Sequence, residues 1–198
     1  MGATWIAQSG IVQGVIIGAT LAFLTAIALL RLRARALTRT VHGWRELRRC
    51  GQPGNGVLTR AACMMALPVV NSFDEAAYWT TGRDAAGRTL RGDRAYTLRF
   101  DAGGMPPADA FWSLTATDPT GYAATGSTGH GSVDDRTPFT TGADGSVELV
   151  LSHEEPAGAA ANWLAVPTGR YRLMLRAYLP GAAILDGRYA PPPVEARP

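Results

Sequence analysis

With 198 residues the chain has room for one folded domain and an appendage, and little room for two enzyme-sized domains. Its composition, 46% hydrophobic and 18% charged, excludes a disordered or collagen-like chain, and Gly 23 with Pro 13 points to many turns. All 19 basic residues are Arg, and the net charge of +3 is unevenly spread: seven Arg lie between residues 31 and 49 against the single acid Glu46, so the remainder of the chain is net acidic.

No charged side chain precedes Arg31, and Ile11 to Leu30 is a 20-residue run whose only polar members are Gln13, Thr20 and Thr25. As a helix it reaches about 30 Å, the thickness of a bilayer hydrocarbon core. The pattern predicts a transmembrane anchor over residues 1–30. A cleaved signal peptide is not expected, because it needs a basic amino end and a shorter apolar stretch closing on small residues, whereas this run ends Leu29-Leu30-Arg31. Arg31, Arg33, Arg35, Arg39, Arg45, Arg48 and Arg49 all follow the span. That asymmetry predicts a single-pass protein of the cell inner membrane, amino end out and domain in the cytoplasm. Arg31, Arg33, Arg35 and Arg39 are also placed to meet anionic lipid head groups, each contributing about 1 kcal/mol. Nucleic-acid binding is not expected, since no aromatic platform or basic fold motif accompanies the cluster.

Gly10, Gly14, Gly18, Ala22 and Ala26 recur every fourth residue and therefore lie close to one face of the span. Small residues let helix backbones approach closely in lipid, so this face predicts a helix partner, either in a homodimer or in a larger membrane complex.

Residues 31–56 read as a basic juxtamembrane helix and linker. Leu37, Val41, Trp44 and Leu47 form an apolar stripe opposite the Arg residues, as in an interfacial amphipathic helix extending to residue 50. Gly51-Gln52-Pro53-Gly54-Asn55-Gly56 is a breaker and hinge. Residues 57–198 form the folded domain: a short helix from Val57 to Leu67, stopped by Pro68, precedes short runs with strand-like alternation. These are Ala76 to Thr80, Arg94 to Phe100, Phe111 to Thr117, Val147 to Leu151, Trp163 to Val166 and Tyr171 to Tyr178, each bounded by turn residues. Such spacing predicts an antiparallel β-sandwich or barrel. The Pro-rich end, with Pro191, Pro192, Pro193 and Pro198, reads as an edge passing into a frayed tail.

The strand-like runs contain recognisable words. Glu75-Ala76-Ala77-Tyr78, then Asp84, Gly87, Leu90, Gly92, Tyr96, Leu98 and Phe100, then Pro106-Pro107 and Phe111-Trp112-Ser113-Leu114-Thr115 lead to Asp135-Arg136-Thr137-Pro138, Asp144-Gly145-Ser146, Asn162-Trp163-Leu164 and Arg176, Tyr178 and Pro180. From Val57 to Val194 the chain resembles the bacterial domain of unknown function numbered 1214. The resemblance implies a jelly-roll-like β-sandwich, often exported or membrane-anchored and commonly outside the cytoplasm, with no settled activity to transfer. The chain departs from the family pattern in Ala165-Val166 before Pro167 and in the Gly- and Ser-rich loop from Ala123 to Asp134. The implied periplasmic placement conflicts with the Arg asymmetry, which here takes precedence because it is read from this chain.

Chemistry-bearing motifs are sparse. His42, His130 and His153 are too scattered to predict a metal site, and no cofactor is expected. Cys50 and Cys63 lack a redox spacing and read as two free thiols, a disulfide between them being open only to a domain in an oxidising compartment. Ser113 is not in a nucleophile elbow, and Gly126 to Ser132 lacks the Lys of a phosphate loop. Trp112 and Trp163 read as core anchors, Arg136 and Arg176 as partners in buried ion pairs, and Asp144-Gly145 as a turn. The expected function is therefore a membrane-anchored accessory or interaction subunit without catalysis of its own. The alternative is a membrane-tethered carbohydrate- or small-ligand-binding protein or enzyme, with a cleft lined by Asp135, Arg136, Asn162 and Trp163, an analogy drawn from other sandwich folds.

Overall fold

A computed structural model of the protein describes residues 9–67, 71–123, 131–158 and 160–197. It opens with helix α1, Gly10–Leu37, which is long and apolar enough to cross a bilayer and whose most apolar window has no residue buried in the protein. The helix stops at Thr38, whose hydroxyl donates to the Ala34 carbonyl at 2.8 Å and whose amide donates to the Arg35 carbonyl at 3.1 Å. Two carbonyls that would otherwise lack a partner in the last turn are thus satisfied.

The amphipathic helix expected through residue 50 does not form beyond Leu37. Instead β1 (Arg39–Val41) and β2 (Trp44–Glu46) make a hairpin around His42-Gly43. Both loop residues have positive φ, 49° and 81°, the twist that a two-residue hairpin loop requires. The helical reading fails because the same residues satisfy a period of two. Trp44 and Glu46 turn inward together, while Arg45 faces out. Glu46 is then placed between Arg39 at 3.5 Å and Arg48 at 3.1 Å, and Arg48 also lies 4.6 Å above the Phe73 ring. Part of the Arg cluster thereby holds the hairpin to the domain.

Helix α2, Val57–Ala66, matches the predicted short helix. It packs against the end of α1, where Ala34, Leu37, Cys50, Ala62 and Cys63 form a small second core with Leu30 and Leu47 at its margin. The Arg33 guanidinium donates to the Thr59 hydroxyl across the same contact. Cys50 and Cys63 are joined in a disulfide with Cα atoms 5.6 Å apart, which corrects the free-thiol reading. Residues 13 apart meet because the intervening GQPGNG segment turns the chain back; at Gly51 the φ is 74°, and an added Cβ would lie 2.1 Å from the Asn71 carbonyl oxygen.

The remaining strands are β3 (Ala76–Thr81), β4 (Tyr96–Phe100), β5 (Ala108–Thr117), β6 (Ser132–Asp134), β7 (Val147–Ser152), β8 (Trp163–Ala165), β9 (Arg172–Pro180) and β10 (Val194–Ala196), with a short helix α3 (Ala182–Leu185) before β10. One sheet has the order β1-β2-β3-β9-β5-β6 and the other β10-β4-β7-β8. Trp79, Trp112, Leu114, Leu173 and Leu175 from the first sheet meet Tyr96, Leu98, Phe100, Leu149 and Leu151 from the second in one core. The protein is mainly β, as expected, and β4 keeps the predicted alternation of Tyr96, Leu98 and Phe100 inside with Arg99 outside. The pairing is not wholly antiparallel, for β7 and β8 run parallel. The Pro-rich end is drawn into the second sheet, where β10 pairs with β4. Gly92 belongs to a close approach: a Cβ there would lie 1.8 Å from the Pro167 carbonyl oxygen, while its amide donates to Gly169 at 2.9 Å. Asp144-Gly145 forms the predicted turn, with the Asp144 carboxyl accepting from the Ser146 hydroxyl and amide and pairing with Arg99. These contacts hold that carboxyl down to about 2.

Candidate functional site

The outer face of the six-stranded sheet collects side chains that the core does not use. On β5, Trp112, Leu114 and Ala116 are buried in the core, so Phe111, Ser113 and Thr115 point the other way. On β9 the same argument turns Met174, Arg176 and Tyr178 outward. The ladders place Tyr78 opposite Arg176, Arg176 opposite Ser113, and Ser113 opposite Asp134. Four strands thereby contribute one continuous row of Tyr, Arg, Ser and Asp.

Neighbouring rows extend it. Phe111 stacks on Tyr178 with ring centroids 4.4 Å apart and planes at 20°. Arg176 donates to the Thr115 hydroxyl at 3.3 Å, and that hydroxyl lies 3.2 Å from Ser132. Tyr78 is buried, donating to the Asn71 side-chain oxygen at 2.8 Å. Burial, and next the neighbouring Tyr178 phenol, push the Tyr78 hydroxyl above its ordinary range, against the opposing pull of Asn71 and Arg176.

At the β6 end the row opens into a shallow cleft of about 270 Å³ lined by Phe111, Asp134, Asp135 and Arg136. Asp134 builds the turn there: its carboxylate accepts from the Arg136 amide at 3.0 Å and the Thr137 hydroxyl at 3.2 Å. The Asp135 amide donates to the Trp112 carbonyl at 3.4 Å, tying the turn to β5. Asp135 and Arg136 are exposed, and among the described residues no salt bridge engages Arg136. The buried ion pairs expected for Arg136 and Arg176 are therefore not seen.

Asp135 and Arg136 come together, but Asn162 and Trp163 do not join them in this cleft. Asn162 exchanges two hydrogen bonds of 2.8 Å with the Thr140 backbone, fixing the loop before β8. Trp163 is buried and its ring N–H donates to the Ser152 carbonyl at 3.0 Å. His153 donates from Nδ1 to the Val166 carbonyl at 2.9 Å and, with Glu154, borders a second shallow cleft of about 310 Å³ beside Gly92 to Ala95. His42 donates likewise to the Pro191 carbonyl at 3.0 Å. His130 and most of the Gly- and Ser-rich loop lie outside the described residues. Among the described residues no three His, Cys, Asp or Glu are grouped to hold a metal ion.

On α1, a Cβ added at Gly10, Gly14 or Gly18 would meet nothing within 4 Å, so that stretch of the small-residue face lies open. Sequence reasoning missed Phe111, Ser113, Thr115, Asp134 and Tyr178 as members of one surface. The alternation within FWSLT identifies which of them face outward; which strands lie side by side is not written locally.

The fold defines a two-sheet β protein carrying an apolar amino-terminal helix, with a mixed aromatic and polar surface on its larger sheet. The chain belongs to the family described as "Protein of unknown function (DUF1214)", which matches residues 75–182, more than half of its length. That match runs from just before β3 to the start of α3, so α1, the hairpin and α2 lie outside it. The chain is similar to the VPA0106 protein of Vibrio parahaemolyticus, a crystal structure, at 26% identity and a TM-score of 0.60 over 71% of this chain and 35% of that one. It is also similar to an uncharacterised protein of Burkholderia cenocepacia at 16% identity and a TM-score of 0.40, over 88% of this chain and 49% of that one. The chain thus spans about a third and about half of the lengths of these two structures. No curated protein matches it.

Proposed function

We propose that this is a single-pass membrane-anchored accessory subunit whose β-sandwich lies outside the cytoplasm and whose α1 docks on a helix of a larger membrane complex. The observation that carries this reading is the junction: only Thr38 separates α1 from β1, and the disulfide and second core clamp α1 to α2. A tethered enzyme gains reach from a flexible linker. Here a one-residue connection and a disulfide-linked base join α1 to the sandwich, which suits a subunit that fixes the orientation of its domain against a partner. The packing of Leu30, Ala34 and Leu37 also argues for an anchor retained in the mature protein, since its end is part of the folded unit. The disulfide favours an oxidising compartment over the placement predicted from Arg asymmetry.

The test is purification of the full chain in mild detergent, with and without Gly14→Leu and Gly18→Leu together. A stoichiometric membrane partner present with the native chain and lost with the variant is the expected result, because two Leu side chains on the open face keep helix backbones apart. Recovery of the same partner with both chains would sink the docking role of α1.

A second reading rests on the cleft beside Phe111, where exposed Arg136 and Asp135 offer a cation and an acceptor next to an aromatic ring. Such a surface fits a sugar or a small polar ligand. A glycan and small-acid screen against the full chain would give a ligand whose binding weakens at least severalfold on Arg136→Ala. A ligand indifferent to that change does not use this cleft.

A further inference from the structure

Helix α2 is apolar on both of its long sides. Thr59, Ala62 and Cys63 face α1. On the opposite side Val57, Leu58, Ala61, Met64 and Met65 make an outward surface, with Val57 75%, Leu58 46%, Met64 56% and Met65 44% exposed. Arg60 is the one charged residue of the helix and lies at the edge of this surface. A helix without a polar face is a helix that something covers on both sides. Here the protein covers one.

We infer that the uncovered side of α2 is seated in the bilayer interface, making α2 a second membrane contact beside the spanning helix. The inference rests on the reading of α1 as a transmembrane anchor and adds a lipid-contacting surface to it. Position is the first argument. The apolar run ends at Leu30, and α2 packs on the stretch from Leu30 to Leu37. Those residues rise about 10 Å along the helix axis, and interfacial helices bury their apolar side about 5–10 Å into the head-group boundary. Continuity is the second argument: on α1 itself Leu29 and Leu32 are 50% and 60% exposed at the same level. Charge is the third. Arg31 and Arg35 on α1, Arg60 on α2 and Arg49 beside Cys50 are all exposed, cations suited to anionic head groups.

The interfacial role that the sequence pattern assigned to residues 31–50 thus passes to α2. The disulfide acquires a purpose as well. It holds α2 against α1 at the level where the bilayer surface lies, so the domain is supported at two points instead of one.

The native methionines provide the test without any substitution. The full chain is placed at one copy per nanodisc of mixed zwitterionic and anionic phospholipid, exposed to hydroxyl radicals, and its oxidation read peptide by peptide. In the protein alone Met64 and Met65 are more exposed than Met105 and Met174, which are half-buried in the sandwich. Seating in lipid reverses that order: Met64 and Met65 oxidise severalfold more slowly than Met105, and Phe23 in the span is spared. If Met64 and Met65 oxidise faster than Met105 while Phe23 is spared, α1 spans but α2 stands clear of the membrane, and the inference falls alone. Oxidation of Phe23 as well would overturn the anchor reading together with it. Protection that develops only at two copies per disc would make a second chain the cover and would overturn the lipid assignment.

Discussion

Trp44→Ala is expected to be the most damaging single substitution in the sandwich, costing about 3–5 kcal/mol. Trp44 has no exposed surface, and its ring N–H donates to the Pro192 carbonyl at 2.7 Å. It sits on β2, between the hairpin that receives the chain from α1 and β3, against which β2 pairs through Arg45 and Glu46. The side chain therefore fills the core, satisfies a carbonyl of the Pro-rich end and fastens the hairpin after α1 to the sheet. Trp44→Phe separates these effects. The ring volume is largely kept, while the Pro192 carbonyl loses its donor, a loss on the order of 1–3 kcal/mol. Urea unfolding of the detergent-solubilised chain, followed by near-ultraviolet circular dichroism, reads both. A midpoint that Trp44→Ala barely moves would mean that the hairpin is not part of the cooperative unit.

Much of the sandwich was legible in the sequence because its inner strands are half-buried and alternate strictly. Tyr96, Leu98 and Phe100 on β4, and Leu173, Leu175 and Ala177 on β9, read as strands for the same reason that they pack: one face of each meets the opposite sheet. The edges were less legible. β1 and β2 have only three residues each, too few to establish a period of two, and their apolar positions also satisfy helical spacing. The decision came from tertiary structure, in the ladder with β3 and the pairing of buried Glu46 with Arg39 and Arg48. β10 was obscured by the three prolines before it, yet Val194 to Ala196 are free to pair with β4.

The candidate surface divides along the same line. Asp135 and Arg136 were identified from their motif and do line a cleft together. Asn162 and Trp163 belong to a motif of equal prominence, but Asn162 is committed to the Thr140 backbone, and Trp163 is buried with its ring N–H on the Ser152 carbonyl while Leu164 and Val166 take the core positions that the sequence reading gave to Trp163. The row of Tyr78, Arg176, Ser113 and Asp134 joins residues from four strands, and its register follows from strand order. Each strand announces which residues face outward; none announces its neighbours.

Opening the Cys50–Cys63 disulfide is expected to cost about 3 kcal/mol, the amount by which a closed loop of about 15 residues restricts the unfolded chain. The loss should be local. The pair lies in the small second core with Ala34, Leu37 and Ala62, apart from the main core of the two sheets. Cys63→Ser should therefore raise amide exchange in α2 and the last turns of α1 before it affects β4 or β9, and uniform exchange throughout would contradict that division. The same bond underlies the proposal that the domain lies outside the cytoplasm. Seven Arg after the apolar run argue for a cytoplasmic domain, yet reducing thiol pools keep such a pair open there. Three of those Arg have other employment: Arg33 binds Thr59, while Arg39 and Arg48 flank Glu46. Thiol alkylation of intact cells before and after reduction should find Cys50 and Cys63 closed, with the domain cut by protease added to spheroplasts. Thiols that alkylate without reduction, on a domain that resists protease, would return it to the cytoplasm and leave α2 held to α1 by packing alone.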